Sequence, residues 1–103
     1  MTKIFYKLGQ KDNFEAVVIQ GHSSYAERGQ DIVCAAISAI TNGTINFLKK
    51  HYSASCQIVY LPAKISIRPL TENPDCQLAL KLMIYQLKNV AYSFPNHLEI
   101  KKN

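Results

Sequence analysis

The chain has 103 residues, 48% of them hydrophobic, and twelve Lys and Arg against seven Asp and Glu give a net charge of +5. That length suits a single domain (1–103) that buries roughly two thirds of its unfolded surface in one core, without staples. No run is expected to serve as a membrane span, which takes about eighteen consecutive apolar residues. The odd, widely spaced cysteines Cys34, Cys56 and Cys76, with His22, His51 and His97 equally scattered, argue against both a disulfide framework and a metal centre.

The opening residues soon alternate between apolar and polar, which is a strand pattern rather than a signal-peptide core, so a cytoplasmic protein is expected. Residues 3–8 read as a strand and residues 14–20 (Phe14-Glu15-Ala16-Val17-Val18-Ile19-Gln20) as its hairpin partner across Gly9 to Asn13. Residues 21–30 are polar and bounded by Gly21 and Gly29, hence a loop. Asp31 then stands as a helix N-cap, and Val33, Ala36, Ile37, Ile40, Thr44, Phe47 and Leu48 follow helical spacing over about 32–50. Strands are expected at 56–61 and 64–68 around Pro62-Ala63. A second helix opens at Asn73-Pro74-Asp75, carries Leu80, Met83, Ile84, Leu87 and Ala91 on one stripe, and stops at Phe94-Pro95. A last strand from His97 to Lys101 completes the order β-β-α-β-β-α-β. The fold class is α/β (α+β), with two helices packed on one mixed sheet.

Chemistry concentrates in residues 21–38. If Asp31 is the cap, Cys34 is the third helical residue, among unpaired N–H groups whose positive potential favours a thiolate over a thiol. That helix end is worth only about 0.3–1 kcal/mol. A histidinium at ~4 Å offers roughly 4 kcal/mol at an effective dielectric near 20, before desolvation is subtracted. His22, twelve positions earlier and just past a strand end, is the residue to supply it and to accept the proton that acyl transfer requires. Gly21 and Gly29 permit the backbone angles and close chain approach such a loop needs. Asp31 either caps the first turn or orients His22; its charge beside the sulfur opposes thiolate formation and weighs toward the cap. Ser38, one turn after Cys34, faces the same side and can support the site by a hydrogen bond. First-turn amides can also hold a developing oxyanion. Cys56 opens a strand, Cys76 starts a helix, and both read as packing residues.

The run Gly21-His22, Ala26, Gly29-Gln30-Asp31-Ile32-Val33-Cys34-Ala35-Ala36 and Ser38 resembles the bacterial ribosomal-processing cysteine protease family, Prp. The likeness extends through the second long helix and Phe94-Pro95 to the final strand. Ser23 stands where the family often has alanine, and Phe94 where it often has tyrosine. The resemblance implies a small α/β cysteine endopeptidase, usually a homodimer, with His22 and Cys34 catalytic and no cofactor. It also implies a substrate: the N-terminal extension of large-subunit ribosomal protein twenty-seven, apolar near the cut and followed by a basic mature protein. No membrane and no direct nucleic acid is required for that activity.

Charge is uneven along the chain. Residues 12–31 carry Asp12, Glu15, Glu27 and Asp31 against Arg28, or −3, leaving +8 on the remainder. The acidic stretch is expected to attract the basic side of the substrate. The basic remainder keeps a second reading open, a non-catalytic ribosome- or RNA-binding domain, and a third is a redox sensor built on Cys34.

Overall fold

The computed structural model describes residues 1–21 and 31–103. Five strands form one sheet in the order β3-β4-β2-β1-β5, with β1 (Thr2–Leu8), β2 (Phe14–Gln20), β3 (Cys56–Leu61), β4 (Lys64–Pro69) and β5 (Leu98–Lys102). β1 pairs antiparallel with β2, β2 with β4 and β3 with β4, while β5 runs parallel to β1, so the sheet is mixed. Two twenty-residue helices, α1 (Ile32–His51) and α2 (Pro74–Ser93), complete the expected element order.

Strand alternation sorts the side chains into two layers. Ile4 lies opposite Ile19, Tyr6 opposite Val17, and Val17 opposite Ile67. Ile4, Val17 and Ile67 are fully buried under the helices, and the intervening Lys3, Lys7 and Arg68 are exposed on the other face. Each such aliphatic contributes about 1.5–3 kcal/mol by leaving water. The C-cap residue of α1, Tyr52, donates its hydroxyl to Asp75 Oδ2 at 2.7 Å, so α1 ends where α2 begins and the helices run antiparallel. At the same end the Gln77 side chain completes β2: Phe14 N–H donates to Gln77 Oε1 (2.6 Å) and Gln77 Nε2 donates to the Phe14 carbonyl (3.0 Å).

Two local expectations change, in the α1 stripe and at the start of the last strand, and the hairpin turn gains a detail. The buried stripe of α1 is Val33, Ile37, Thr41, Ile45 and Leu48, whereas Ala36, Ile40 and Thr44 are half-buried and Phe47 is exposed. Thr41 can sit inside because its hydroxyl donates to the Ile37 carbonyl at 2.8 Å, which lets the helix turn a different face to the sheet. In the β1–β2 connection the left-handed backbone falls on Lys11 and Asp12 (φ 58° and 56°), inside a 3-10 turn at Gln10–Asp12. The last strand begins at Leu98, because the backbone N–H groups of His97 and Leu98 both donate to the Phe94 carbonyl and close a turn there. α1 is long and apolar enough, by composition, to cross a bilayer; here its stripe is packed inside the protein.

Candidate active site

The sheet presents two ends. At one end β2 finishes at Gln20, opposite Lys3 of β1 and Lys64 of β4, and β5 begins beside Thr2. Gly21 follows at φ +88°, a left-handed conformation that favours glycine. Its N–H donates to the Ala63 carbonyl at 3.0 Å, and a Cβ placed there would stand 2.6 Å from the Met1 carbonyl oxygen. The strand end is therefore clamped between the β3–β4 turn and the first residue of the chain. The chain leaves this clamp directly into His22, which with Gly29 lies outside the described residues.

The described residues resume at Asp31. Its backbone is extended (φ −78°, ψ 98°), its carbonyl accepts the Ala35 N–H at 3.0 Å, and its Oδ1 accepts the Cys34 N–H at 2.8 Å. This is an N-cap, worth about 1 kcal/mol, and it makes Cys34 the third residue of α1. The structure thus brings Asp31 and Cys34 together as the capping reading required. It also takes the Cys34 N–H out of the set of unpaired amides, so the first-turn donors left for an oxyanion are those of Ile32 and Val33.

Cys34 is half-buried, while Cys56 and Cys76 are buried; all three thiols are free. Ser38 is exposed one turn further along α1, and among the described residues its hydroxyl makes no hydrogen bond. The supporting hydrogen bond expected of it is not formed there. Among the described residues no cluster of three His, Cys, Asp or Glu side chains could hold a metal ion.

Of the acidic stretch, Asp12 and Glu15 do not gather at this end, and Glu27 with Arg28 lies outside the described residues. Asp12 and Glu15 lie at the opposite end of β2, and Glu15 Oε2 pairs with Lys7 Nζ at 3.4 Å. Asp31 is the acid of that stretch which the described residues place beside Cys34. The sequence reading missed three contributors to this end: the Met1 carbonyl, Ala63, and His97, whose carbonyl accepts the Thr2 N–H at 3.1 Å. Ala63 at φ 57° follows Pro62 in a two-residue connection, a turn signal that was readable; the approach of Met1 and His97 had no local signal.

Known proteins agree with this architecture. A ribosomal processing cysteine protease Prp of Mycoplasma genitalium is 33% identical over 96 residues, covering 93% of this chain and 94% of that protein. The Staphylococcus aureus Prp is 30% identical over 87 residues, 82% of each. A solved S. aureus Prp carrying a covalently linked product peptide superposes with a TM-score of 0.93 at 25% identity, over the full length of both chains. The Streptococcus mutans protein SMU.848 shares the fold, with a TM-score of 0.74 at 23% identity over 100% of this chain and 96% of its own. The family model for cysteine protease Prp matches from residue 1 to residue 99, so along almost its whole length this chain belongs to the Prp family, and it is a cysteine protease.

Proposed function

We propose that this protease is an endopeptidase that removes the N-terminal extension of large-subunit ribosomal protein twenty-seven, with Cys34 as nucleophile and His22 as general base. The observation that carries the reading is Cys34, half-exposed in the first turn of a capped helix, entered from a strand end that Met1 and Ala63 fix immediately before His22. The relatives named as ribosomal processing proteases, and the S. aureus structure with its covalently linked product peptide, support the same chemistry.

In this mechanism His22 takes the Cys34 proton and the thiolate attacks the scissile carbonyl carbon. The oxyanion lies against the Ile32 and Val33 N–H groups at the positive end of α1. Collapse breaks the C–N bond, the leaving amine receives the proton from His22, and a thioester remains on Cys34. Water, deprotonated by His22, then attacks the thioester and returns the free thiol and a carboxylic acid.

The assembly we propose is a cytoplasmic homodimer. Three free thiols suit a reducing compartment. A groove of about 650 Å³ between α1 and α2 is walled by Phe47, Leu78 and Leu82, all substantially exposed, and suits a second copy of the chain. Sedimentation should give a dimer at micromolar concentration and a folded monomer for Leu78→Glu with Leu82→Glu; a wild-type monomer contradicts the assembly.

The function is tested by incubating the protein with the host's full-length ribosomal protein twenty-seven, beside Cys34→Ala, and reading the new N-terminus by mass spectrometry. Loss of a short extension with wild type alone is the expected result. An intact substrate with both proteins overturns the substrate assignment.

A further inference from the structure

At the end of the sheet away from Cys34, β1 finishes, β2 begins and α2 starts, and a basin of about 660 Å³ opens between them. A seven-residue strand separates the two ends by on the order of 20 Å. The basin is lined by Lys11, Lys81, Lys88 and Lys102 with the rings of Tyr6 and Tyr85. All four lysines are exposed, and none forms an ion pair among the described residues. Asp12 and Glu72 also reach the basin, leaving it net positive by two. Lys88 Nζ stands 5.7 Å from the Tyr6 ring centroid and 5.6 Å from that of Tyr85, so two aromatic faces already hold one of the cations.

The spacing on α2 is informative. Lys81, Tyr85 and Lys88 are i, i+4 and i+7 on one helix face, a cation–ring–cation row about 10 Å long. Tyr85 is 61% exposed, so its ring is accessible between the two lysines. A chain of singly charged phosphates with a flat base between them matches this row: phosphates meet Lys81 and Lys88, and the base stacks on Tyr85. An acidic peptide satisfies the lysines but offers no flat base to the face of Tyr85 that Lys88 leaves open. A lone anion gains little from a basin whose net charge is only two.

We infer that this basin binds single-stranded RNA, at a site separate from the peptide-cleaving end of the molecule. It adds a docking function to the protease without any role for RNA in the cleavage step. Because binding is measured without cleavage, the inference stands or falls independently of the proposed substrate.

The test is fluorescence anisotropy of a labelled mixed-sequence oligoribonucleotide, titrated with the protein over a range of salt concentrations. With Lys81, Lys88 and one further basin lysine each engaging a phosphate, log K should fall against log salt with a slope of about −2. Lys81→Glu with Lys88→Glu should weaken binding more than tenfold and flatten the slope by about 1.4. Tyr85→Ala should weaken it about five- to tenfold and leave the slope unchanged, a signature that charge alone does not produce. Lys49→Glu with Lys50→Glu, an equal charge change at the end of α1, should have little effect. Four results overturn the inference: no binding at low salt, equal loss in the α1 variant, no effect of Tyr85→Ala, or displacement of RNA by polyglutamate at equal charge. These substitutions are at exposed positions, and circular dichroism confirms that each variant is folded.

Discussion

The two helices begin alike, and the difference between them is what sets the proposed nucleophile apart. Each has twenty residues, each is capped by an Asx side chain, and each carries cysteine as its third residue. The Cys34 N–H donates to Asp31 Oδ1 at 2.8 Å and the Cys76 N–H to Asn73 Oδ1 at 3.2 Å. Helix polarity therefore acts on both sulfurs. Cys76, however, is fully buried against Cys56, whose own thiol is pushed up to about 11, chiefly by burial and then by its neighbour Cys76. Cys34 is half-exposed and follows a chain segment that carries a histidine. A cysteine at a helix N-terminus becomes a nucleophile through what can reach it and what stands beside it; the helix end alone does not make one.

The largest effect tests that contrast directly. Cys34→Ala should lower peptide cleavage by roughly 10³-fold or more while leaving thermal stability near wild type. Cys76→Ala should keep most of the activity and cost about 1 kcal/mol through the cavity it leaves. That corresponds to about 4–8 °C in Tm for a domain of this size. Steady-state cleavage and thermal melts on both variants check this, and retained cleavage in Cys34→Ala breaks the comparison. Iodoacetamide at neutral pH should label Cys34 well before Cys56 or Cys76, as peptide mapping by mass spectrometry can show.

Next comes the segment that feeds α1. Gly21→Ala places a Cβ against the Met1 carbonyl at a positive φ, so it should destabilise the protein by about 1–3 kcal/mol. Because the displaced backbone is the one that delivers His22, kcat should fall further than the melting shift explains, with KM changed less. Equal activity in the folded variant would remove the strand-end clamp from the site. The entry to α2 is tied differently: the Leu70 N–H donates to the Ser55 carbonyl at 2.8 Å without a positive-φ glycine, and the Asn73 N–H donates to Thr71 Oγ1 at 3.3 Å.

Much of this contrast was legible in the sequence, for physical reasons that also set its limit. Strand alternation, the Asp31 and Asn73 caps and the Pro74 start are local signals, and the helices fall where those signals place them. The rotation of α1 was not legible. Burying Thr41 in place of Ile40 depends on a hydroxyl returning to the Ile37 carbonyl and on where α2 leaves its groove. The Cys56–Cys76 contact joins positions twenty apart, the first residue of β3 and the first turn of α2, which no spacing rule encodes. At the active end, the Asp31–Cys34 pair lies three residues apart and was readable. The Met1 and His97 contributions arrive from the chain's two extremes.

A smaller effect concerns the buried Cys56 thiol and pH. The Cys56 thiol lies above its ordinary 9.0 in the folded protein, so its contribution to stability is complete below about pH 9. It is lost as the pH climbs through about 11, since the unfolded chain ionises first. Tyr52 is also raised, by its hydrogen bond to Asp75, and adds to the loss in alkali. Melting temperatures between pH 8 and 11 should therefore decline less steeply for Cys56→Ala than for wild type. Parallel declines would show that the pair carries no such linkage.

The smallest expected effect is the most discriminating, because it converts one cap into the other. Asp31→Asn gives α1 the amide cap that α2 already uses at Asn73, with an oxygen still able to accept the Cys34 N–H. Asn and Asp are close to equivalent as caps, so stability should change by less than about 0.5 kcal/mol. Asp31→Ala, which removes the acceptor, should cost about 1 kcal/mol. If Asp31 serves the helix alone, Asp31→Asn cleaves peptide as wild type does, or slightly faster, because a negative charge beside the sulfur opposes the thiolate. If cleavage collapses while the melt is unchanged, the carboxylate acts on the reaction, and its remaining reach is toward the imidazole. A pH–rate profile then distinguishes the two roles. A carboxylate paired with histidinium raises the imidazole pKa, so its loss shifts the profile's acidic limb downward. A pure cap leaves that limb in place.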